Sequence, residues 1–412
     1  MSRIEEMLAE LCPNGVEYRT MGECGSFVRG SGIQKKDFCD EGKPCIHYGQ
    51  IYTRFGTATD YAISLISEEQ FATSKKAMPN DVIIAITSEN MEDVCTPLVW
   101  EGSVPVAISG HSCAYHTVLN SRYVAYYLQS KGFQQLKKKI ARGTKVIEVK
   151  PADIARIEIP VPPMEIQREI VRILDSFAEL EAELEAELEA RRSQYAYYRD
   201  KLLGFERERA PWLGLGLLGA FERGKRFTKA DYRASGIPSI HYAEIYTQYD
   251  LAASQVVSYV REDLVNSLRY ARPGDLVIAC TGETKEDIAK AIVWEGTQNA
   301  AVHDDCAILH LSDRVLPRYL AYCFQTQRFS EEKQRLATEG KNVRISAERL
   351  ASIEIPVPPL AEQRRIVDVL DKFSALTTSL ADGLPAEIEA NRKRYEYYRD
   401  KLLDLPRRES AA

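Results

Sequence analysis

Ile157-Glu158-Ile159-Pro160-Val161-Pro162-Pro163 returns letter for letter as Ile353-Glu354-Ile355-Pro356-Val357-Pro358-Pro359. Extended over 157–175 against 353–371, the match is 13 identities in 19 at an offset of 196. Self-similarity at a fixed period decides architecture before any local reading does. The stretch also has a local meaning: Ile-Glu-Ile alternates like a half-buried strand, and the prolines end it because proline cannot donate to a sheet ladder.

Working outward, Tyr195-x-Tyr197-Tyr198-Arg199-Asp200-Lys201-Leu202-Leu203 recurs at 395–403, now at offset 200, so four residues separate the two copies' spacings. Upstream, likeness is loose but landmarks recur at offset 194: Phe27-x-Arg29-Gly30 with Phe221-x-Arg223-Gly224, His47-Tyr48 with His241-Tyr242, and Val99-Trp100-Glu101-Gly102 with Val293-Trp294-Glu295-Gly296. Each half is a divergent body followed by a near-identical tail, with bounds 1–159, 160–204, 205–355 and 356–405. Pro79-Asn80-Asp81 and Pro273-Gly274-Asp275 lead into apolar runs, Val82 to Ile86 and Leu276 to Ala279, that read as buried strands. With helical stretches at Tyr123 to Ile140 and Tyr319 to Leu336, each body is mixed α/β (α+β).

The first tail carries an apolar stripe at spacings of three and four: Ile166, Ile170, Ile173, Leu174, Phe177, Leu180, Leu184 and Leu188. Its Leu-Glu-Ala-Glu repeat over 179–189 predicts helix, since Glu, Ala and Leu are strong helix formers and poor strand formers. In the second tail Leu370 and Phe373 continue the equivalent stripe until Gly383-Leu384-Pro385, which predicts a kink or split.

The 412 residues carry 54 Lys+Arg, 60 Asp+Glu and a net charge of −6, which at face value argues against a nucleic-acid partner. Yet residues 163–190 hold nine acids and two bases, a net of −7, leaving +1 for the rest. The acidity belongs to one helix, and the bodies are free to carry basic surfaces. Candidates for nucleic-acid contact are Lys35, Lys36, Arg54, Lys75, Lys76, Arg142 and Lys145 in the first body. The second offers Arg223, Lys225, Arg226, Lys229, Lys285, Lys341 and Arg344; the run Lys137-Lys138-Lys139 adds basic charge to the first.

No catalytic or metal-ligating set is evident. Gly214-x-Gly216-x-x-Gly219 lacks the strand and helix of a phosphate loop and overlies Gly22 and Gly25, so a shared turn is the better reading. Pro79-x-Asp81 with Glu148-x-Lys150 loosely resembles a nuclease acid set, but the equivalents of Glu148 and Lys150 are Arg344 and Ser346. The six histidines have no Cys or carboxylate at ligand spacing, and core or surface hydrogen-bonding roles are expected. The tetrads of amino-methyltransferases, the phosphate loop of NTPases and the hydrolase elbow are absent from the sequence. Nine cysteines without C-x-x-C read as reduced thiols. With no apolar run of 18 residues and a charged N-terminal segment, a cytoplasmic location away from membranes is expected.

The tails Ile-Pro-Val-Pro-Pro-x-x-x-Gln-Arg and Tyr-x-Tyr-Tyr-Arg-Asp-Lys-Leu-Leu, with the opening Leu11-Cys12-Pro13-Asn14-Gly15-Val16-Glu17-Tyr18, resemble the specificity subunit of type I restriction-modification systems. The Leu-Glu-Ala-Glu units resemble the tetrapeptide repeats of one branch of that family, where Thr often stands at the second position. The resemblance implies two target-recognition domains, each reading one part of a bipartite, asymmetric duplex DNA site, related by a pseudo-two-fold axis and joined by two long antiparallel helices. It further implies docking of two methyltransferase subunits and of motor-nuclease subunits, with S-adenosylmethionine, ATP and Mg on those partners and no cofactor here. Leu174, Phe177, Leu180, Leu184, Leu188, Leu370, Phe373, Tyr198 and Tyr398 would then serve the paired helices and partners. The identity of the tails would follow from both meeting copies of one partner, and the repeat number would set the unread spacing between half-sites. A self-contained methyltransferase or nuclease is disfavoured by the missing motifs; a scaffold that merely joins proteins is the third class.

Overall fold

A computed structural model describes residues 3–378 and 383–408, with side chains for all of these except 375–378. The chain divides into two units, Met1–Glu185 with Glu387–Ala412, and Ala186–Ala386. Each unit therefore holds one body, the start of the tail that follows it and the end of the other tail.

In the first unit a five-stranded sheet has the order Gly25–Arg29, Ser112–Thr117, Val82–Ala85, Pro97–Trp100, Ala58–Thr59. The strand Val82–Ala85 reads as an unbroken apolar run because both of its faces are covered. Val82 and Ile84 enter a core shared with the helix Ser121–Gln129, while Ile83 and Ala85 enter a second core with Ile46, Val106 and Ile108 of the neighbouring sheet. That sheet runs Phe38–Cys39, Ser64–Ile66, Lys43–Ile46, Val106–Ile108, Lys76–Ala77.

The second unit repeats both sheets strand for strand. Its larger sheet is Gly219–Arg223, Cys306–Leu311, Leu276–Ala279, Ala291–Trp294, Ala252–Ala253. Leu276 and Ile278 face one core, Val277 and Ala279 the other. The turn before each central strand needs a left-handed residue, supplied by Asn80 (φ 69°) and Gly274 (φ 94°), two residue types that tolerate it. Asp81 and Asp275 close these turns by accepting Met78 N (2.8 Å) and Arg272 N (2.7 Å).

The long helical stretches expected after the sheets are each split in two: Ser121–Gln129 and Lys131–Ile140, Pro317–Cys323 and Gln327–Leu336. Periodicity is preserved across each break, but Ser130 and Thr326 cap a fresh start by accepting from Phe133 N and Phe329 N. The glycine pairs do occupy matched places in the two bodies, but not within one turn: Gly22 and Gly216 precede, and Gly25 and Gly219 begin, the equivalent strands Gly25–Arg29 and Gly219–Arg223. A Cβ would lie 2.1 Å from His116 O at Gly25 and 2.3 Å from His310 O at Gly219, so close strand approach accounts for these two.

The strands Glu158–Pro160 and Glu354–Pro356 pair antiparallel with Tyr18–Thr20 and Trp212–Gly214. The first tail helix runs Met164–Leu203, a continuous 40 residues. The second is split, as Gly383 and Pro385 predict, into Leu360–Thr378 and Leu384–Leu403; residues 379–382 lie outside those described. The apolar stripe is not covered along its whole length: Ile166, Ile170, Leu174 and Leu370 are fully buried and Leu188 nearly so, but Leu180 is 44% exposed. No helix among the described residues is long and apolar enough to cross a membrane.

Candidate nucleic-acid interface

Each body is bolted to tail residues from both ends, and this accounts for most of the identical letters. Gln167 accepts Asn120 N (2.9 Å) and donates to Pro162 O (2.8 Å); Gln363 accepts Leu316 N (2.8 Å) and donates to Pro358 O (2.8 Å) and Arg314 O (3.0 Å). Asp175 receives Arg122 (2.9 Å) and the Tyr126 hydroxyl, just as Asp371 receives Arg318 (2.9 Å) and Tyr322. At the other tail ends, Asp400 accepts Lys131 N (2.9 Å) and Asp200 accepts Gln327 N (3.0 Å), each capping the first turn of a body helix. Leu402 and Leu403 complete the first unit's core and Leu203 the second's.

Phe177 packs on Tyr398 and Tyr395 (ring centroids 5.5 and 6.4 Å), and Phe373 lies 6.3 Å from Tyr198. Identity in the tails is therefore largely internal, rather than directed wholly at a partner. Among the repeated letters that stay exposed in both copies are Arg168/Arg364, Tyr197/Tyr397, Tyr198/Tyr398 and Lys201/Lys401. Among the described residues, the glutamate-rich face finds one counter-cation from the second tail: Arg392 binds Glu181 (2.6 Å) and Glu185 (2.7 Å), whereas Lys393 pairs with Glu389.

Of the basic candidates, Lys35, Lys36, Arg54, Lys75, Arg142, Lys145, Arg223, Lys225, Arg226, Lys229, Lys341 and Arg344 are exposed. Lys76 is tied down, donating to Ser74 O (3.0 Å) over the Phe71 ring, and Lys285 pairs with Glu339 (2.6 Å). Lys137, grouped by sequence with its basic neighbours, is a core residue. It is 1% exposed and donates to Glu92 O (3.1 Å) and Val94 O (2.9 Å), and Lys333 does the same to Glu286 O and Ile288 O. Burial pushes the pKa of both ammonium groups down.

A hairpin in each body gathers several exposed candidates. Arg142 and Glu148 exchange backbone bonds (3.0 and 2.8 Å), as Thr338 and Arg344 do (2.8 and 3.0 Å). Gly143 makes the first turn possible at φ 106°. Lys145 and Lys341 stand within these hairpins, which are pinned to the central strand's continuation: Glu148 lies opposite Thr87, and Arg344 opposite Thr281. Arg29 and Arg223 flank them, donating to Gly110 O (3.0 Å) and Asp304 O (2.9 Å). In the second unit this surroundings forms a cleft of about 470 Å³ that includes Arg223, Asp304, Asp305 and Arg344.

Carboxylates that ligand spacing did not reveal do lie beside three histidines, for two of them from residues distant in sequence. His116 Nδ1 meets Asp81 (2.8 Å), His310 Nδ1 meets Asp275 (2.7 Å), and Asp304 and Asp305 fold back beside His303. Sequence spacing missed the first two because 35 residues separate the partners. These contacts serve structure. Asp81 and Asp275 already close turns, and His303 has both ring nitrogens engaged, with Nε2 on Phe227 O (3.1 Å) and Nδ1 accepting Asp305 N (3.3 Å). His47 and His241 cap helices through Nδ1, and burial lowers the pKa of both, His241 to about 4. The nuclease-like set does not assemble either. Asp81 precedes the strand that Thr87, opposite Glu148, follows, about 20 Å away at strand rise.

The family model described as "Type I restriction modification DNA specificity domain" matches residues 13–190 and 215–390. A Haemophilus influenzae chain described as a type I restriction enzyme specificity subunit is 33% identical over 297 residues, covering 70% of this chain and 73% of that one. The EcoR124I/EcoR124II specificity subunit of Escherichia coli is 31% identical over 264 residues, 62% of this chain and 65% of its own length. Among solved structures, one reported for complex assembly and conformational transition of the type I R-M system matches with TM-score 0.67 at 17% identity, covering 94% of this chain and 97% of that one. The likeness at that identity is one of fold.

Proposed function

The chain belongs to the type I restriction-modification DNA specificity family, and from that premise we propose that it is the sequence-reading subunit of a type I enzyme. The specificity family is non-catalytic, and Asp81 with His116, Asp275 with His310, and the buried Lys137 have structural partners. Each body reads one part of a bipartite, asymmetric duplex site through its exposed cations. Two adenine-N6 methyltransferase subunits carrying S-adenosylmethionine dock on the tails, and ATP- and Mg-dependent motor-nuclease subunits join to make the restriction enzyme, all in the cytoplasm. The count of Leu-Glu-Ala-Glu units sets the unread spacer.

One observation carries the reading: two bodies with the same strand order and register present different side chains at matched exposed positions. A common frame with divergent surface suits two different half-sites on one chemically uniform backbone. The test is duplex binding by the complex of this chain with its modification subunit, followed by fluorescence anisotropy at several salt concentrations. Affinity should fall steeply with salt, as counterion release requires. A complex that assembles but never shifts duplex DNA would leave only the scaffold reading.

A further inference from the structure

The two hairpins and the strand ends beside them can be compared residue by residue, because their backbones are bonded alike. Ile86 N donates to His111 O and Cys280 N to Asp305 O, both at 2.9 Å, which makes His111 and Asp305 equivalent. Val149 N donates to Ile86 O (2.9 Å) and Ile345 N to Cys280 O (3.0 Å), which does the same for Lys150 and Ser346. The pairings opposite Thr87 and Thr281 equate Glu148 with Arg344.

On this shared frame some groups are kept and others are exchanged. Kept are Arg29/Arg223, each held on the carbonyl at the neighbouring strand end, the buried Thr87/Thr281, and the exposed Lys145/Lys341. The threonines hold matched partners: His111 Nδ1 lies 3.2 Å from Thr87 Oγ1, and Asp305 Oδ1 accepts Thr281 Oγ1 at 3.1 Å. Exchanged are Glu148 for Arg344, a full reversal of charge, His111 for Asp305, and Lys150 for Ser346. Glu148 pairs only at the surface with Arg29 (3.2 Å), while Arg344 is exposed with no side-chain partner among the described residues.

Phosphates are the same in both half-sites and bases are not. Groups kept in both bodies are matched to what is common, and groups exchanged at identical backbone positions to what differs. We propose that the hairpin position 148/344, seconded by 111/305, is a base-discriminating site in each body. Arg344 takes the acceptor edge of a guanine in one half-site, and Glu148 takes the amino group of a cytosine in the other. Arg29/Arg223 and Lys145/Lys341 hold the backbone. This rests on the DNA-reading assignment and adds which residues carry the difference.

The test selects from a library of randomised duplexes with the complex of full-length chain and modification subunit, for wild type, Glu148→Arg, Arg344→Glu, Arg344→Gln and Lys341→Ala. Wild type returning a bipartite motif establishes the premise; no motif from wild type would remove the premise itself. Given that motif, Arg344→Glu should change one or two positions in one half only, with about 10- to 100-fold loss on the wild-type site. Glu148→Arg should change the other half, and Lys341→Ala should weaken all sequences equally. If Arg344→Glu selects nothing, Arg344→Gln decides: relaxed preference at one position sustains the proposal. An unchanged motif in all variants, with uniform weakening, would overturn it.

Discussion

Gln363 tests whether the repeated tail motif is chiefly an internal bolt. Its side chain is fully buried, and its three hydrogen bonds all go to backbone: from Leu316 N at 2.8 Å, to Pro358 O at 2.8 Å and to Arg314 O at 3.0 Å. Gln363→Ala leaves one N–H and two carbonyls to water or to nothing. At about 1 kcal/mol net for each bond, the loss is about 3 kcal/mol. For a unit near 200 residues, each kcal/mol moves Tm by about 2–4 °C, so the transition should fall by about 6–12 °C. Gln363→Glu keeps the shape but sets an acceptor against two carbonyls, and should be no better. Arg364→Ala, one residue along and exposed, should stay within about 0.5 kcal/mol. Calorimetry reads the transition, and hydrogen exchange over 314–324 localises it. A Gln363→Ala protein as stable as Arg364→Ala would refute the internal reading of the motif.

Replacing Arg168, Arg364, Tyr197 and Tyr397 by alanine together should cost little stability yet abolish co-purification of the modification subunit, because these repeated side chains are exposed and the two tyrosine rings touch neighbours on their own helix. A double-mutant cycle of Arg392 against Glu181 should give about 0.3–1 kcal/mol at low salt and vanish near 1 M, as a half-exposed pair does. His241 has its folded pKa near 4, below the unfolded 6.5, so the unfolded state binds the extra proton between those values. Stability of the second unit should therefore decline as pH falls from about 6.5 to 4, with a slope below about 1.4 kcal/mol per pH unit, and His241→Asn, which can still cap, should flatten it. Deleting Leu184–Glu187 should shorten the unread spacer while leaving both half-sites intact, read by methylation mapping.

The tandem architecture was legible because the tails repeat almost verbatim, and the central strands because both faces are buried and their letters run apolar. The split at Ser130 and Thr326 was not, since the apolar period continues across a cap. Nor could sequence show that Gln167, Asp200 and their partners in the second copy face inward: a repeated polar letter looks the same whether it meets a neighbour or the body it belongs to. Lys137 resembled its exposed neighbours Lys138 and Lys139, yet only it reaches two buried carbonyls. The basic candidates were found by composition, but their grouping at two equivalent hairpins depends on long-range pairing such as Glu148 with Thr87, 61 residues apart.

The central claim is that this chain reads two different half-sites on one duplex. Single-molecule sequencing of methylated adenines in a host expressing the chain with its modification subunit tests it most directly. One asymmetric motif in two specific parts separated by unread bases is expected. Methylation at a continuous or palindromic site, or none above the background of the host without this chain, would contradict it.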